Sequence, residues 1–594
     1  MNEEPPSVLW EIAARLVLLS DTHVGPADPA HRRADEPGAD LPVDRAPDTG
    51  LPRLRATTLA GILRHDLIAR TGDTASAGAL FGTSAADDPD GSGTPGALDL
   101  DDAEGDVPTA ITSRAGNRVD PASGTALPGH LWRREILPAG TVFTLHLRLH
   151  VTDPRSEASL LGLLTGCVAG LHRGREEPDG PDHDRGPAGH DGAGSVPGAG
   201  SPGSSGSDGE CRGLQRAPTC PDVSRVHQGA EGPEASGPDE SNGSGPGLHV
   251  GARTGRGHGA IAATSWAARR HDLTTAEGWF AHHTRTWAQR RADGESGLPD
   301  GSLTLADALS RTLRTADRPD LADGLPRETP DRRPRDELRL TLAVGEPDDP
   351  VVPTRVRPGL LMIADPPPPG RAGAVDRAHR HRPVEGAPEP VPVLGDTALH
   401  SLLKRLSARL SRDACEALGG HDDLWRHWHA HWWGGDTDPA TALPRPSRVR
   451  LRRTPVLTGG APLTTTRLTV DSLFGDAVDG HLSTSDVHCG GTAEAVLDVH
   501  EPDDSVRGLL TLLVRDLATV PADTLGSGAG SGHGRLTATA ATLTVRTADG
   551  GPARTVDLLT AVHAPDSTDA RLARGWVSRW HARLAPRPVG EAQR

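Results

Sequence analysis

The chain has 594 residues, of which 71 are glycine, 53 are proline and only 35% are hydrophobic, so we expect several folding units separated by loops. The net charge of −17 excludes a uniformly basic surface but allows a local basic face that could bind nucleic acid. There is no run of 18 apolar residues and no signal-peptide pattern at the N-terminus, which predicts a cytoplasmic protein with no membrane partner.

In chain order, the first half predicts a strand, a helix, a strand, a helix, a Gly-rich loop and a last strand. The strands are indicated by short runs of β-compatible apolar residues, and the helices by apolar residues at three- and four-residue spacing. The predicted elements lie at residues 13–19, 59–68, 141–149, 158–171 and 251–259. The second half repeats this order at residues 338–344, 399–410, 493–499, 506–517 and 526–534.

The two halves are related by an internal repeat. A set of residues recurs at a constant offset of 351, from Val119, Gly129, Leu131 and Gly140 to Val470, Gly480, Leu482 and Gly491. GARTGRGHG (251–259) recurs as GSGAGSGHG (526–534), in which Gly251, Gly255, Gly257, His258 and Gly259 match Gly526, Gly530, Gly532, His533 and Gly534. An ordered set of matches favours two related domains over chance.

This order of elements predicts an α+β fold with two ferredoxin-like (RRM-like) domains in tandem and long loop insertions. We predict a first domain over residues 1–275, in which 172–248 is an acidic, disordered insertion rich in Gly, Pro and Ser. A helical linking segment over 276–335, a second domain over 336–550 and a C-terminal tail over 551–594 complete the organisation.

The motifs resemble those of the RAMP superfamily of CRISPR-associated proteins. DLPVDRAPDTGLPRLRATTLAGILR (40–64) is similar to the family segment that joins an aspartate-proline loop to a helix ending in arginine. RVDPASGTALPGHLWRREILPAGTVF (118–143) resembles a later family block, and the second half keeps AVDR (374–377) and PVLGDTALHSLLK (392–404). The resemblance implies a double-RAMP backbone subunit of a type III effector complex, which binds guide RNA and target RNA beside other subunits in antiviral defence.

The two Gly-rich loops are the predicted RNA-binding sites. Backbone amides in such loops can approach phosphates closely, and Arg253 and Arg256 would neutralise them. The second loop has Gly528 and Ser531 at the arginine positions, so we expect it to bind RNA less strongly. Arg64 and Lys404, which end the matching helix segments, are further RNA-binding candidates.

The resemblance also implies two catalytic residues, Asp40 and Asp376. Both match the aspartate that supports metal-dependent cleavage of target RNA in the family, which implies Mg²⁺ or Mn²⁺ as a cofactor for cleavage. Physically, a carboxylate can hold a divalent ion or accept the proton of a 2′-hydroxyl group. We predict no metal site at His427, His429 and His431, because their Trp-rich surroundings favour a packed helix end.

Two other functions stay open at this point. The chain could be a structural RAMP subunit whose loop aspartates are catalytically inert. It could instead be a metal-independent endoribonuclease that processes guide RNA, with His23, His65, His258 or His533 as the general base.

Overall fold

A computed structural model gives the structure of the protein, and it describes most of the chain. The described residues are 6–26, 40–83, 93–106, 111–119, 126–172, 247–326, 331–349, 355–383, 389–435, 445–546 and 553–585. The predicted insertion over 172–248 lies almost entirely outside the described residues. The parts of residues 1–173 and 244–594 that are described form a single compact unit.

The first half, residues 6–272, is built around one antiparallel sheet. Its strands are β1 (Val8–Leu18), β2 (Arg53–Leu54), β3 (Leu98–Leu100), β4 (Ala103–Gly105), β5 (Thr112–Val119), β6 (Ala126–Ile136), β7 (Val142–Val151), β8 (Leu248–His249) and β9 (Ala260–Asp272), and its helices are α1 (Ala56–Thr71), α2 (Thr74–Phe81) and α3 (Glu157–Cys167). The strand order is β2-β4-β7-β1-β9-β8, while β5 and β6 form a separate hairpin.

Alternating residues of β1, including Trp10, Ile12 and Leu16, pack in one core with the apolar faces of α1 and α3. The apolar face of α1 consists of Leu59, Leu63 and Leu67, at the four-residue spacing that the sequence predicts. Burial of this apolar face is what holds the two helices on the sheet.

The second half, residues 335–584, repeats this arrangement. Its strands are β10 (Arg335–Pro347), β11 (Val356–Pro358), β12 (Leu360–Leu361), β13 (Ala364–Asp365), β14 (Arg377–His379), β15 (His381–Arg382), β16 (Val391–Pro392), β17 (Val449–Leu451), β18 (Ala461–Val470), β19 (Ala477–Cys489), β20 (Thr492–His500), β21 (Leu536–Arg546) and β22 (Arg554–Asp557). Its helices are α8 (Asp396–Ala417), α9 (Asp422–Trp433), α10 (Asp504–Thr519), α11 (Leu558–His563) and α12 (Thr568–Leu584). The main sheet has the order β17-β20-β10-β21-β22.

The two sheets share an irregularity as well as a strand order. The pairing of β1 with β9 shifts between Arg15 and Leu16, and that of β10 with β21 shifts between Thr341 and Leu342. At each bulge a threonine hydroxyl donates a hydrogen bond to a carbonyl of the neighbouring strand. Thr264 of β9 bonds to Arg15 of β1 at 3.2 Å, and Thr539 of β21 bonds to Thr341 of β10 at 3.3 Å. Bulges are specific features of a fold, so a shared bulge supports the duplication inferred from the sequence.

The α+β class is confirmed, and the ferredoxin-like assignment of each half stays a prediction.

The hairpin β5–β6 and the hairpin β18–β19 correspond to the repeat with an offset of 351. Thr112 pairs with Ile136 in the first hairpin, and Leu463 pairs with Val487 in the second. Near the tips, Val119 pairs with Ala126 and Val470 pairs with Ala477. The sequence repeat therefore preserves the register of a whole hairpin, and not only its turn residues.

The segment between the halves contains four helices in the described residues. Its helices are α4 (Ala276–His283), α5 (Trp287–Ser296), α6 (Leu305–Thr315) and α7 (Pro319–Asp323). Trp287 of α5 donates a hydrogen bond of 2.8 Å to Asp101, and Leu309 of α6 packs in the first core. Helices α4 and α5 cover the opposite face of the first sheet, where Arg290 of α5 bonds to Glu11 of β1, whereas α6 packs on the face that carries α1 and α3.

The C-terminal region differs from the predicted tail. Residues 554–557 form β22, which pairs with β21, and α12 packs along α10. Trp576, Trp580 and Leu584 recur at four-residue spacing on α12 and are all buried, so the region belongs to the core of the second half. None of the helices in the described residues is long and apolar enough to cross a membrane.

Candidate RNA-binding cleft and loop aspartates

The first Gly-rich loop, residues 251–259, contacts the second half of the same chain. The backbone N–H of Leu451 in β17 donates a hydrogen bond of 3.2 Å to the carbonyl of Gly255, and Arg256 forms a β-bridge with Leu451. A Cβ atom on Gly257 would lie 3.3 Å from the carbonyl oxygen of Leu451. The loop therefore joins the two halves, in addition to any contact with a ligand.

His258 anchors this contact. Its side chain is 1% exposed, and its Nε2 lies 3.2 Å from a carboxylate oxygen of Asp396, the first residue of α8. Burial by itself would raise the pKa of Asp396, but His258, Arg382 and Arg114 hold that pKa well below its usual range. His258 was predicted to bind RNA, and in the structure it pairs with a buried carboxylate of the other half instead of facing solvent.

Both Gly-rich loops need glycine at their last position. Gly259 and Gly534 have positive φ angles, 77° and 81°, in the left-handed region that favours glycine. A Cβ atom would lie 1.9 Å from the carbonyl oxygen of Val250 at Gly259, and 1.9 Å from that of Leu525 at Gly534. These two glycines are required by the shape of the loop, whatever the loop binds.

A basic cleft, which we call the arginine cleft, opens where the first Gly-rich loop meets the second half. Its volume is about 280 Å³ and its cationic lining residues are Arg253, Arg256, Lys404, Arg445 and Arg450. Among the described residues, no carboxylate lines it. Burial, together with the charges of Arg134 and Arg256, lowers the pKa of Arg253 to about 10, so the arginine stays charged at neutral pH. Like charges concentrated in a cleft favour the binding of an anion.

The structure brings Lys404 to the predicted loop residues but leaves Arg64 apart from them. Nζ of Lys404 donates hydrogen bonds to the carbonyls of Trp433 and Gly434, at 3.1 and 2.7 Å, which fixes the ammonium group at the edge of the cleft. Arg64 lies at the corresponding place on α1 of the first half and does not line the cleft. The sequence analysis did not predict Arg445 and Arg450, which lie on either side of residues 447–449.

The second Gly-rich loop, residues 526–534, is open to solvent over much of its length. Gly530 and Gly532 are exposed, and a Cβ atom on either would meet no atom within 4 Å. His533 is buried beneath the loop, where Arg467 of β18 donates a hydrogen bond of 2.7 Å to its Nε2. Burial and the charge of Arg467 lower the pKa of His533.

Asp40 and Asp376 are both exposed, and each lies beside the base of the hairpin in its own half. Oδ2 of Asp40 accepts a hydrogen bond of 2.8 Å from the backbone N–H of Arg133 in β6. Oδ2 of Asp376 accepts one of 2.8 Å from the backbone N–H of Thr484 in β19. Arg133 and Thr484 are separated by 351 residues, so the two aspartates occupy equivalent positions.

The candidate general-base histidines have different environments. His23 is buried, its Nδ1 lies 2.9 Å from the carbonyl oxygen of Glu135, and burial lowers its pKa. His65 lies exposed on α1. His427, His429 and His431 belong to α9, which confirms the helix prediction. His429 is buried, and its Nε2 lies 3.0 Å from Oγ of Ser407. Their two-residue spacing on a helix does not place the three rings on one face.

A buried charge network beside the cleft also escaped the sequence analysis. Asp21, three residues after β1, is 1% exposed and forms ion pairs with Arg114 of β5 and Arg382 of β15. Asp21 therefore connects the hairpin of the first half to the second half. A single aspartate at the end of a strand gives no sequence signal for such a long-range contact.

Comparison with protein families identifies a match over part of the chain. Residues 15–167 match the family model described as RAMPs, the RAMP superfamily, which confirms the resemblance in the first half. The matched region includes Asp40, α1 and the β5–β6 hairpin. No curated protein matches the chain.

Proposed function

We propose that this RAMP-type chain is a backbone subunit of a type III CRISPR effector complex that binds guide RNA and cleaves complementary target RNA. The observation that carries the proposal is the combination of the arginine cleft with the equivalent positions of Asp40 and Asp376. The cleft supplies a binding site for phosphates, and the aspartates supply one carboxylate in each half for cleavage.

RNA binding would rest mainly on charge. Arg253, Arg256 and Lys404 come from both halves and converge on one cleft, so a phosphate bound there would offset their mutual repulsion. Such contacts position the RNA backbone and carry no base specificity. In the turn of the β18–β19 hairpin, Phe474 is 76% exposed and can stack on an RNA base.

Cleavage would use Asp40 and Asp376 as the groups that act in the transition state. In this reaction a 2′-hydroxyl loses its proton to the carboxylate and its oxygen bonds to the adjacent phosphorus. The bond from phosphorus to the 5′-oxygen breaks, and the departing 5′-oxygen takes a proton from water. The products are a 2′,3′-cyclic phosphate and a 5′-hydroxyl. The hydrogen bond from the hairpin backbone holds each carboxylate in a set orientation at the surface, where RNA can reach it.

The surroundings of Asp40 and Asp376 limit how the predicted Mg²⁺ or Mn²⁺ could bind. In the described part of the chain, neither aspartate belongs to a group of three potential metal ligands. A divalent ion there would have one carboxylate as a ligand and would take its other ligands from RNA phosphates and water. This arrangement is usual for Mg²⁺. Bound in that way, the ion would stabilise the charge that develops on the phosphate.

Other subunits are the proposed protein partners. The first Gly-rich loop contacts α8 and β17 of the second half, so the contact between the halves joins two different surfaces. Contacts of this heterologous type can continue from one molecule to the next. The exposed second loop is equivalent to the one that makes this contact. We infer that a second RAMP-like subunit docks on it.

The test is RNA cleavage by the full chain bound to a guide RNA and a complementary target. The proposed function requires cutting that depends on Mg²⁺ or Mn²⁺ and disappears in the Asp40→Ala, Asp376→Ala double variant. Metal-independent cutting that survives in the double variant would favour a histidine endoribonuclease. Guide binding with no cutting under any condition would favour the structural subunit.

A further inference from the structure

A cluster of metal-ligating side chains lies on the face of the first sheet that α4 and α5 cover. Glu11 is in the middle of β1, His271 is near the end of β9 and His282 is in the last turn of α4. One ligand atom from each residue lies within 4.8 Å of the other two. The three residues come from three separate elements and belong to neither the arginine cleft nor the loop aspartates.

The carboxylate of Glu11 is held between two partners and points at both imidazoles. Its Oε2 lies 3.0 Å from Nε2 of His271, and its Oε1 accepts a hydrogen bond of 2.6 Å from Nε of Arg290. The Glu11 and His271 side chains are only 8% and 5% exposed. Arg290 also donates to the carbonyl of His282, so the guanidinium orients the carboxylate and the end of α4 together.

His282 is the member whose polar atom has no partner. Its Nδ1 is buried without a hydrogen bond and lies 3.8 Å from Oε1 of Glu11, too far for a hydrogen bond. A neutral imidazole with an unused buried nitrogen is the form in which histidine binds metals.

The distances fit a small transition-metal ion. Zn²⁺ bonds to histidine nitrogen at about 2.0–2.1 Å and to carboxylate oxygen at about 2.0–2.2 Å, so tetrahedral ligand atoms lie roughly 3.3–3.5 Å apart. Nε2 of His271 lies 3.0 Å from Oε2 of Glu11, and Nδ1 of His282 lies 3.8 Å from Oε1 of the same carboxylate. All three ligand atoms lie within 4.8 Å of one another, so small side-chain movements would bring them to that separation. Beside the cluster, a cavity of about 140 Å³ lined by Glu11, Trp287 and Arg290 has room for a water ligand.

We propose that Glu11, His271 and His282 form a zinc site that fastens α4 to the first sheet, with water as the fourth ligand. Glu11 and His271 bind from adjacent strands, and His282 swings its Nδ1 onto the ion from the helix. Arg290 keeps its hydrogen bond to the other carboxylate oxygen and acts as a positioning residue, in the way that groups around metal ligands commonly do. The ion gives the buried Nδ1 of His282 the partner that the protein does not supply.

The test is Zn²⁺ binding by the full chain after treatment with a chelator, measured by competition with a chromophoric chelator. The wild-type chain should bind one tight Zn²⁺ equivalent more than His282→Ala, in which affinity at this site should fall by at least about 100-fold. His283→Ala is the matched control, because His283 is the next residue and is exposed. It should keep the full stoichiometry.

Folding is controlled with a second variant and a second measurement. Glu11→Gln keeps the size of the side chain and should lose the same equivalent, and each variant should keep the wild-type circular dichroism spectrum in excess chelator. Zn²⁺ should raise the melting temperature of the wild-type chain and of His283→Ala, but not that of His282→Ala. Equal Zn²⁺ stoichiometry and affinity in the wild-type chain and folded His282→Ala would overturn the proposal.

Discussion

Asp40 and Asp376 accept the same hydrogen bond, 2.8 Å long, from equivalent residues of two duplicated hairpins. The next residues continue the match, since Leu41 bridges to Arg134 and Arg377 pairs with Ser485, both in the parallel direction. Arg134 and Ser485 again differ by 351 positions. The chain therefore presents two loop carboxylates in the same local frame, which is the geometry expected if both halves cut one extended RNA.

The first prediction follows from this equivalence. Asp40→Ala and Asp376→Ala should each abolish one of two cleavage positions, and the double variant should cut at neither. RNA affinity should change little, because the arginines carry the phosphate contacts while a carboxylate acts mainly in the transition state. The measurement is fragment length after incubation of guide-bound chain with complementary RNA and Mg²⁺ or Mn²⁺.

Asp48→Ala is the control for loss of a loop carboxylate, since Asp48 is an exposed residue of the same loop that lies outside the hairpin contact. It should cut at the wild-type rate. Wild-type cutting by the double variant would remove both aspartates from the mechanism.

The second prediction concerns the arginine cleft. Replacing Arg253 and Arg256 with Ala should weaken RNA binding to a similar degree for different sequences, because phosphate contacts are not base-specific. The dependence of log affinity on log salt should become shallower by about 0.7 for each phosphate of single-stranded RNA that the variant no longer neutralises. Binding is measured by fluorescence anisotropy at several salt concentrations.

Arg314 provides the comparison, because it is an exposed arginine of α6 that pairs with Asp323. Arg314→Ala should leave both the affinity and the salt dependence as in the wild-type chain. If the cleft variant matched this control, RNA would bind elsewhere.

The sequence predicted the local elements well because their signals are local. The apolar spacing of Leu59, Leu63 and Leu67 defines α1, and the repeat at an offset of 351 marks two hairpins of identical register. The contact of His258 with Asp396 was not predictable, since 138 positions separate the two residues and neither periodicity nor turn chemistry relates them. The same holds for α12, whose tryptophans are buried only because α10 provides the surface on which they pack.

The third prediction separates the structural glycines from the exposed ones. Gly259→Ala should destabilise the chain, because the left-handed φ of 77° costs about 1–3 kcal/mol for a residue with a Cβ atom and the added atom would clash with Val250. Gly530→Ala should leave stability within about 0.5 kcal/mol of wild type, since a Cβ atom there meets open space. Chemical denaturation measures both, and equal stability of the two variants would contradict the loop conformation.

The last prediction concerns the buried carboxylate that joins the halves. The pKa of Asp396 is lowered in the folded chain, whereas an aspartate in an unfolded chain has a pKa of about 3.9. Its charge therefore stabilises the fold above that pH, and the contribution disappears as the pH falls through the lowered pKa. Asp396→Asn also leaves the side chains of His258, Arg382 and Arg114 without this carboxylate, and breaking a buried pair in this way costs roughly 3–5 kcal/mol. We expect the stability difference between wild type and Asp396→Asn to be large at pH 7 and to shrink steadily below about pH 4. Thermal and urea unfolding across this pH range measure the difference.

Asp323→Asn, which removes a carboxylate from an exposed pair with Arg314, should show a small difference at every pH. A difference for Asp396→Asn that stayed constant between pH 7 and pH 3 would show that the charge of Asp396 does not hold the halves together.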